Sequence, residues 1–493
     1  MSLKTSVQYE DFGAVGDGVT DDMEAICAAH DYANSQGLPI KTRPDAEYYI
    51  GPKALTAIIE TDTDWSTSRF IIDDRAVEDN KLPCFLVRSS LKPFTLPIKK
   101  LNRDQKHLDF YPERACYVKV TNSNEKKYIR FGLNQDNGSD QTDCFILEKD
   151  GSITVPINWD YEQVTEIVAL PIDDNPLLIQ GGIFTTIANQ AESVYNYYGR
   201  GIDITRSNTI VDGVTHYVVG EGKQGSPYRG FINAIDCADV TIQNCFFTGH
   251  KIYYTIGSAN LPVMMGSYDL HANSIVNFTV RNCRMNHIND RTRWGVFASN
   301  FCKNILVEDC ILSRVDAHMG VSGAYTVRNS RLGWQGLNAI GRGLLTLDYV
   351  TLYGRNLLFL RSDYGSTWEG NVKIIDCKWV LSDYGQNASY IIGMYNNGMH
   401  DFGYTCYMPE TIEIKNLYID DSAFAQKEHE IYLFSDPCAG DDMENLPPFK
   451  ERPYPYILSK KVICSNIEVA SKRPIHISQN EELFRNVEIE IQA

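Results

Sequence analysis

Through the C-terminal two thirds of the chain an eight-residue pattern recurs, apolar at its first, third and eighth positions and usually Asn or Asp at its fifth. Clear copies are Val240-Thr-Ile-Gln-Asn-Cys-Phe-Phe247, Phe278-Thr-Val-Arg-Asn-Cys-Arg-Met285, Ile305-Leu-Val-Glu-Asp-Cys-Ile-Leu312 and Tyr325-Thr-Val-Arg-Asn-Ser-Arg-Leu332, and four more start at Leu345, Val372, Ile412 and Val462. The alternation predicts a short half-buried strand on either side of the fifth position. That position reads Asn244, Asn282, Asp309, Asn329, Tyr349, Asp376, Asn416 and Asn466, with one exception residues that accept tight-turn geometry and hydrogen-bond locally. Weaker copies with Gly at the fifth position begin at Leu177 and Thr209, so the array starts near residue 177.

Copy starts lie 38, 27, 20, 20, 27, 40 and 50 residues apart, too irregular for helical repeats but suited to coils whose strands are fixed and whose loops vary. A parallel β-helix does this, stacking its coils at about 4.8 Å with like residues above like. Cys245, Cys283, Cys310 and Cys377 share the sixth position, and Cys237 and Cys302 each precede their strand by three residues, so these six read as buried small hydrophobes in two columns. The total of thirteen cysteines is odd, which excludes a complete set of intrachain disulfides.

With 43% hydrophobic and 22% charged residues and no run of eighteen apolar ones, the 493-residue chain predicts a folded protein with no membrane span. A formal charge of −17 argues against non-specific nucleic-acid binding, which rests on a basic footprint. It leaves room for a local basic site.

Asp11-Phe-Gly-Ala-Val-Gly-Asp-Gly-Val-Thr-Asp-Asp-Met-Glu-Ala-Ile26 is dense in Gly and Asp, then turns into a helical pattern reaching about Ala33. Thr20 or Asp21 is placed to cap that helix, with Asp22 and Glu24 in its first turn. The helix would cover the open backbone of the first coil. This stretch closely resembles the opening of the pectate-lyase-like superfamily, whose members include polysaccharide lyases, glycoside hydrolases, sugar epimerases and phage tailspike depolymerases. The resemblance implies an all-β, right-handed, single-stranded parallel β-helix with an N-terminal capping helix, and it speaks to fold more than to reaction. The galacturonan-hydrolase branch would carry Asn-x-Asp, Asp-Asp, Gly-His-Gly and Arg-x-Lys on consecutive coils, and that set is missing. The reading divides the chain into a cap with first coils (1–74), a β-rich insertion (75–170) and the main helix with its C-terminal cap (171–493). The insertion is read from the strands Tyr117-Val-Lys-Val and Tyr128-Ile-Arg-Phe and an Asn137-Gly138 turn. Met1-Ser2-Leu3-Lys4 carries no apolar signal core, and the resemblance implies a secreted or periplasmic protein whose leader has been removed.

By analogy with the family, each coil runs strand two, the Asn turn, strand three, a variable loop, then strand one, and ligands lie along strand one. Coils from 278 to 372 are short, and longer excursions at 248–268, 383–410 and 424–460 would wall them. Residues 281–361 hold ten Arg and one Lys against five acids. Arg281, Glu308, Arg328 and Asp348 form an alternating ladder at the fourth repeat position. Arg291, Arg293, Arg314, Arg342, Arg355 and Arg361 fall in loops or strand one, where guanidinium suits bidentate capture of carboxylate or sulfate. An acidic polysaccharide or oligosaccharide is the expected partner. Pairing of these arginines with loop acids is the alternative.

Alternation in Asp316-Ala-His318-Met-Gly-Val321 turns Ala317, Met319 and Val321 inward and sets Asp316 and His318 facing the groove. Asp269-Leu-His271-Ala272 repeats the grammar two coils away, roughly 10 Å. Asn338, Phe359 and Arg361 would also face outward, with Asp363 and Tyr364 just beyond. An Asp-x-His pair is common by chance, and each is also readable as a surface hydrogen bond. Trp334, Trp294, Trp368, Tyr253 and Tyr254 are either sugar platforms or loop packing. No metal site is assigned, since Asp and His at this spacing fall short in ligand count. The resemblance to lyases allows calcium.

Three readings follow. In a polysaccharide lyase, Arg361 and Arg342 neutralise a uronate, His318 or Tyr364 shuttles protons and Asp316 orients His318. A glycoside hydrolase would draw two carboxylates from Asp269, Asp290, Asp316 and Asp363. The third reading is a non-catalytic glycan-binding or tailspike-like protein. In all three, Asp269, His271, Arg293, Arg314, Asn338, Phe359, Asp363 and Trp334 are candidate substrate contacts. Tailspikes are commonly trimeric, but 451–493 shows one further coil and no trimerisation segment, so a monomer is expected.

Overall fold

The repeat starts become direct neighbours in a computed structural model of the chain, which describes residues 5–130, 137–257, 260, 262–294, 297–395, 402–437 and 456–492. Val240 pairs with Phe278, and the same column continues through Ile305, Tyr325, Leu345, Val372, Ile412 and Val462 to Ile489, every step parallel. The first, third and eighth repeat positions are buried throughout, as at Val240, Ile242 and Phe247 or Leu345, Leu347 and Leu352. Among the described residues 30 strands form one parallel sheet wound into a right-handed β-helix.

All eight fifth positions adopt left-handed backbone, φ 47° to 56°, as do Gly181 and Gly213 in the earlier coils, both at φ 73°. The turn residues also bond along the stack. Asn282 Nδ2 donates to Asn244 Oδ1 at 2.7 Å, Asn416 Nδ2 to Asp376 Oδ1 at 2.6 Å and Asn466 Nδ2 to Asn416 Oδ1 at 2.9 Å. The six stacked cysteines are buried, and the twelve cysteines among the described residues are free thiols. In the fourth-position ladder, Glu308 accepts from both Arg281 and Arg328.

The helix, Met23–Gln36, packs on strand Ala57–Ile59 at the N-terminal end of the stack. Its N-cap is Asp22, without a side-chain capping bond, rather than Thr20 or Asp21, both of which lie in the preceding strand, Asp17–Asp21; Asp21 Oδ1 accepts from Met23 N at 3.1 Å. The helix runs three residues beyond Ala33 and ends at Gly37, left-handed at φ 64°.

Within 75–170, Phe85–Val87 runs in the coil stack, paired to Ala57–Ile59 and Ile202–Ile204. A separate five-stranded antiparallel sheet takes Phe94–Thr95, Cys116–Lys127, Ser139–Leu147, Ile153–Thr154 and Glu166–Pro171, with its own core around Leu101, Val118, Phe145 and Ile157. Tyr128-Ile-Arg, expected as strand, leaves the ladder after Lys127, Tyr128 turning to φ 56°. This sheet docks on the corner between strands one and two. Tyr117 Oη donates to Ser274 O at 2.6 Å, Lys119 pairs with Asp236 at 2.8 Å, and the buried Lys303 ammonium meets Asp143 at 2.9 Å. The insertion therefore walls one side of strand one. Of the expected long excursions, 248–268 carries the hairpin Tyr253–Ile256 with Pro262–Met265, while 396–401 and 438–455 lie outside the described residues.

Candidate active site on the strand-one face

Strand one runs in register from Ile202–Ile204 through Ile232–Ile235 and Leu270–Asn273 to the segments around 299, 317, 338 and 359. Alternation buries Ile232, Ala234, Leu270, Ala272, Ala317 and Leu337 in the core and sends the intervening side chains outward. Between the docked insertion and the loops, those side chains form a polar cluster.

Arg361 is its hub. Nη1 donates to both oxygens of Asp316 at 2.9 and 3.0 Å, and Nε and Nη2 donate to Asp363 at 3.0 and 2.7 Å. Arg314 Nη2 donates to Asp316 Oδ2 at 2.7 Å and lies over the Trp294 ring at 4.8 Å. Arg130, from the insertion, donates to Asp363 Oδ2 at 3.1 Å and covers the Tyr364 ring at 5.2 Å. Asn338 turns its carboxamide oxygen to Arg314, accepting from Nη2 and Nε at 3.0 and 2.9 Å. Burial opposes charge on both aspartates, yet Arg314 and Arg361 hold Asp316 below the usual carboxylate range, and Arg361 holds Asp363 well below it. Both are ionised at neutral pH. All four of their oxygens face guanidinium groups, so the pair does not fit calcium, which takes 6–8 oxygen ligands. Among the described residues no group of three or more His, Cys, Asp or Glu stands together in a metal-holding arrangement.

His318 lies half-buried against this cluster, edge-on to Tyr364 with ring centroids 5.5 Å apart. Burial, reinforced by Arg361, pushes its pKa down to about 3, so the imidazole is neutral. A hydrogen-bond chain over successive coils fixes which nitrogen carries the proton. The carboxylate of Asp203, paired with Arg229, accepts from Asn233 Nδ2 at 3.1 Å. Asn233 Oδ1 must then accept from His271 Nδ1 (2.7 Å), leaving His271 Nε2 to accept from Asn300 Nδ2 (3.2 Å). Asn300 Oδ1 in turn faces His318 Nδ1 at 3.2 Å. Each amide has one donating and one accepting end, so the polarity runs the length of the chain. His318 holds its proton on Nδ1 and keeps the Nε2 lone pair free.

Tyr268 stands half-buried beside Asp316, Arg314 and Arg361, and burial raises its pKa, so the phenol keeps its proton. The sequence reading named His318, Asp316, Arg361, Tyr364, Arg314, Asn338 and Asp363, all of which meet here. It missed Tyr268, Asn300, Asn233 and Arg130.

Other expected site residues lie elsewhere. Asp269 is fully buried and bonded to His216 Nδ1 at 2.8 Å, a structural pair away from the groove. His271 is in the hydrogen-bond chain and does not stand beside Asp269 as a groove pair. Arg342 pairs with Asp104 at 2.8 Å in a separate cleft of about 290 Å³ between insertion and coils, near the Arg103–Glu369 ion pair. Arg293 is taken up by Gly249 O at 2.7 Å, with Asp290 and Glu221 nearby. Trp334 and Phe359 line a cleft of about 350 Å³ reaching Asn338. Trp368 is a core residue, Tyr253 is buried under its hairpin and Trp294 lies beneath Arg314.

Fold and site together define a right-handed parallel β-helix protein with a charged cluster on its strand-one face. Among curated proteins the chain is similar to a capsule KL64-specific depolymerase of Klebsiella phage P510, 31% identical over 121 residues. That match spans 22% of this chain and 12% of the relative's length. No family profile matches the chain. Similar solved structures include the gp54 tailspike of Acinetobacter baumannii bacteriophage AP22 in complex with A. baumannii capsular saccharide, with TM-score 0.53 and 9% identity over 98% of this chain and 79% of that one. Another is the gp49 tailspike of Pseudomonas phage LKA1, with TM-score 0.51 and 12% identity over 94% and 81%. At such identities the likeness is one of fold. Among the described residues no helix is long and apolar enough to cross a membrane.

Proposed function

We propose that the chain binds an acidic, uronate-containing polysaccharide along strand one and cleaves it by β-elimination at the His318 cluster, as a secreted or periplasmic protein meeting its glycan outside the cytoplasm. The likeness to a capsule depolymerase and to a tailspike holding capsular saccharide supports a polysaccharide as substrate. The ionisation of the cluster carries the choice of reaction. Hydrolysis needs a carboxylic acid that keeps its proton near neutrality, and Asp316 and Asp363 are both ionised and tied to arginines. Elimination needs a base free of its proton and an acid that still holds one, the roles His318 and Tyr268 fit.

A uronate carboxylate set against the guanidinium groups of Arg130 and Arg361 is neutralised, which acidifies C5 of the sugar. His318 Nε2 takes the C5 proton, the C4–O4 bond breaks as the C4–C5 double bond forms, and the Tyr268 hydroxyl gives its proton to O4. The imidazolium returns a proton to the tyrosinate through solvent, and the site resets. Four hydrogen bonds to Asp316 and Asp363 fix the Arg361 guanidinium in place for this role. The low pKa of His318 reflects burial and Arg361, and a substrate carboxylate beside that guanidinium offsets the cation and strengthens the base.

The active form carries neutral His318, and its protonation falls far below the ordinary histidine value of 6.5. In kcat/KM profiles the rate therefore stays level through 6.5, its acid limb lying well below. His318→Ala loses about 10²–10⁴-fold in kcat with oligosaccharide binding retained. An acid limb centred near 6.5, or full turnover in His318→Ala, contradicts the assignment.

A further inference from the structure

Continuous with the catalytic cluster through Asn338, the 350 Å³ cleft is lined by Trp334, Arg355, Asn356, Phe359, Tyr384 and Tyr395. Its volume is that of a small-ligand site. Three polar atoms in its lining, Trp334 Nε1, Asn356 Oδ1 and Tyr395 Oη, are shielded from solvent and have no hydrogen-bond partner among the described residues. Buried polar groups in folded proteins are nearly always paired, so three orphans gathered at one cleft point to a missing partner. They offer a donor, an acceptor and a hydroxyl able to do either, which is the complement of a sugar's hydroxyl groups.

The charge is equally one-sided. Among the described residues no carboxylate lines the cleft, and the only ionic group in its lining is Arg355. Of the six loop and strand-one arginines, Arg361, Arg314, Arg342 and Arg293 have carboxylate partners, and Arg291 donates to Asp383 O at 2.7 Å and stacks on Tyr384 at 4.0 Å. Arg355 is exposed, has no ion pair among the described residues, and lies over the rings of Tyr390 and Tyr395, 5.8 Å from each. Tyr384 is braced by its hydroxyl, which donates to Trp334 O at 3.0 Å, so this aromatic wall is preorganised. Water would satisfy the three orphans but leaves the guanidinium and the aromatic faces unmatched.

We infer that this cleft is a subsite for one carboxylate-bearing sugar residue of the polymer, Arg355 pairing with the carboxylate while the aromatic rings take the apolar face of the pyranose and the orphan atoms take its hydroxyls. The inference rests on the proposed acidic-polysaccharide reading and adds where, outside the reacting residue, that acidity is recognised.

Saturation-transfer NMR with methyl β-D-glucuronide and methyl α-D-galacturonide, against the corresponding neutral glycosides, tests it on the full chain. The expected result is binding of at least one uronide, weakened about tenfold or more in Arg355→Ala and partly kept in Arg355→Lys, with the neutral glycosides bound more weakly. Equal binding of acidic and neutral glycosides, binding of neither, or no change in Arg355→Ala overturns the subsite. Uronide binding is measured also in His318→Ala. Loss of turnover there with Arg355-dependent binding intact upholds both assignments. Binding that depends on Arg355 in a chain that cleaves no polymer keeps the subsite and removes the reaction.

Discussion

Asn300 sits between two histidines, accepting from His318 Nδ1 and donating to His271 Nε2, and so passes the polarity set at Asp203 to the proposed base. Asn300→Leu removes both contacts and lets His318 place its proton on either nitrogen. The expected outcome is a fall in kcat of about tenfold or more with KM little changed, since a misplaced imidazole proton disables a base without loosening substrate. ¹⁵N NMR of the imidazole reads the tautomer independently of activity: Nδ1–H in the native chain, a mixture in Asn300→Leu. A native chain protonated on Nε2 contradicts the chain of bonds. At this scale alternation located much of the cluster, because strand one has a two-residue period and Ala317 and Leu337 are strongly apolar neighbours. It failed at Asp269, whose carbonyl accepts from both Phe231 and Ile232 backbone N–H groups at 2.9 Å just before the strand starts at Leu270. That irregular entry turns the side chain inward, and no period describes it. Arg342 misled for a related reason, lying beside Glu369 at the entry to strand two, where the insertion meets the coils.

The strand-turn-strand element was legible because its turn demands left-handed backbone, which Asn, Asp and Gly accept at little cost. Tyr349 is the exception, at φ 52° and 62% exposed, so the strain of its backbone is offset by little packing. Tyr349→Asn is expected to stabilise the chain by about 0.5–1 kcal/mol, measured as a higher denaturation midpoint with an unchanged slope. A lower midpoint would mean the tyrosine ring contributes more than the turn costs. The second turn, between strands one and two, uses the same device at Asp239, Asn277 and Asn304, with Asn277 Nδ2 donating to Asp239 Oδ1 at 2.8 Å and Asn304 Nδ2 to Asn277 Oδ1 at 3.0 Å. The eight-residue repeat begins after that turn, so the pattern did not display it.

Across the whole molecule, a chain of net charge −17 concentrates Arg130, Arg314 and Arg361 around two carboxylates and leaves Arg355 nearby with no ion pair among the described residues. One of those arginines arrives from the insertion, more than two hundred residues before Asp363 in sequence. Its docking through Lys303–Asp143 and Tyr117–Ser274 sets Tyr128 and Arg130 over the cluster. Such long-range docking leaves no periodic trace, which is why Arg130 and Tyr268 were invisible in a sequence whose coils were plain. The most direct test of the central claim follows ultraviolet absorbance of unsaturated uronate and new reducing ends together, on pectic, alginate, glycosaminoglycan and capsular polymers, with calcium and with chelator. The account predicts absorbance rising in step with reducing ends, in chelator as in calcium, and lost in His318→Ala. Reducing ends without absorbance would contradict it and make the chain a hydrolase.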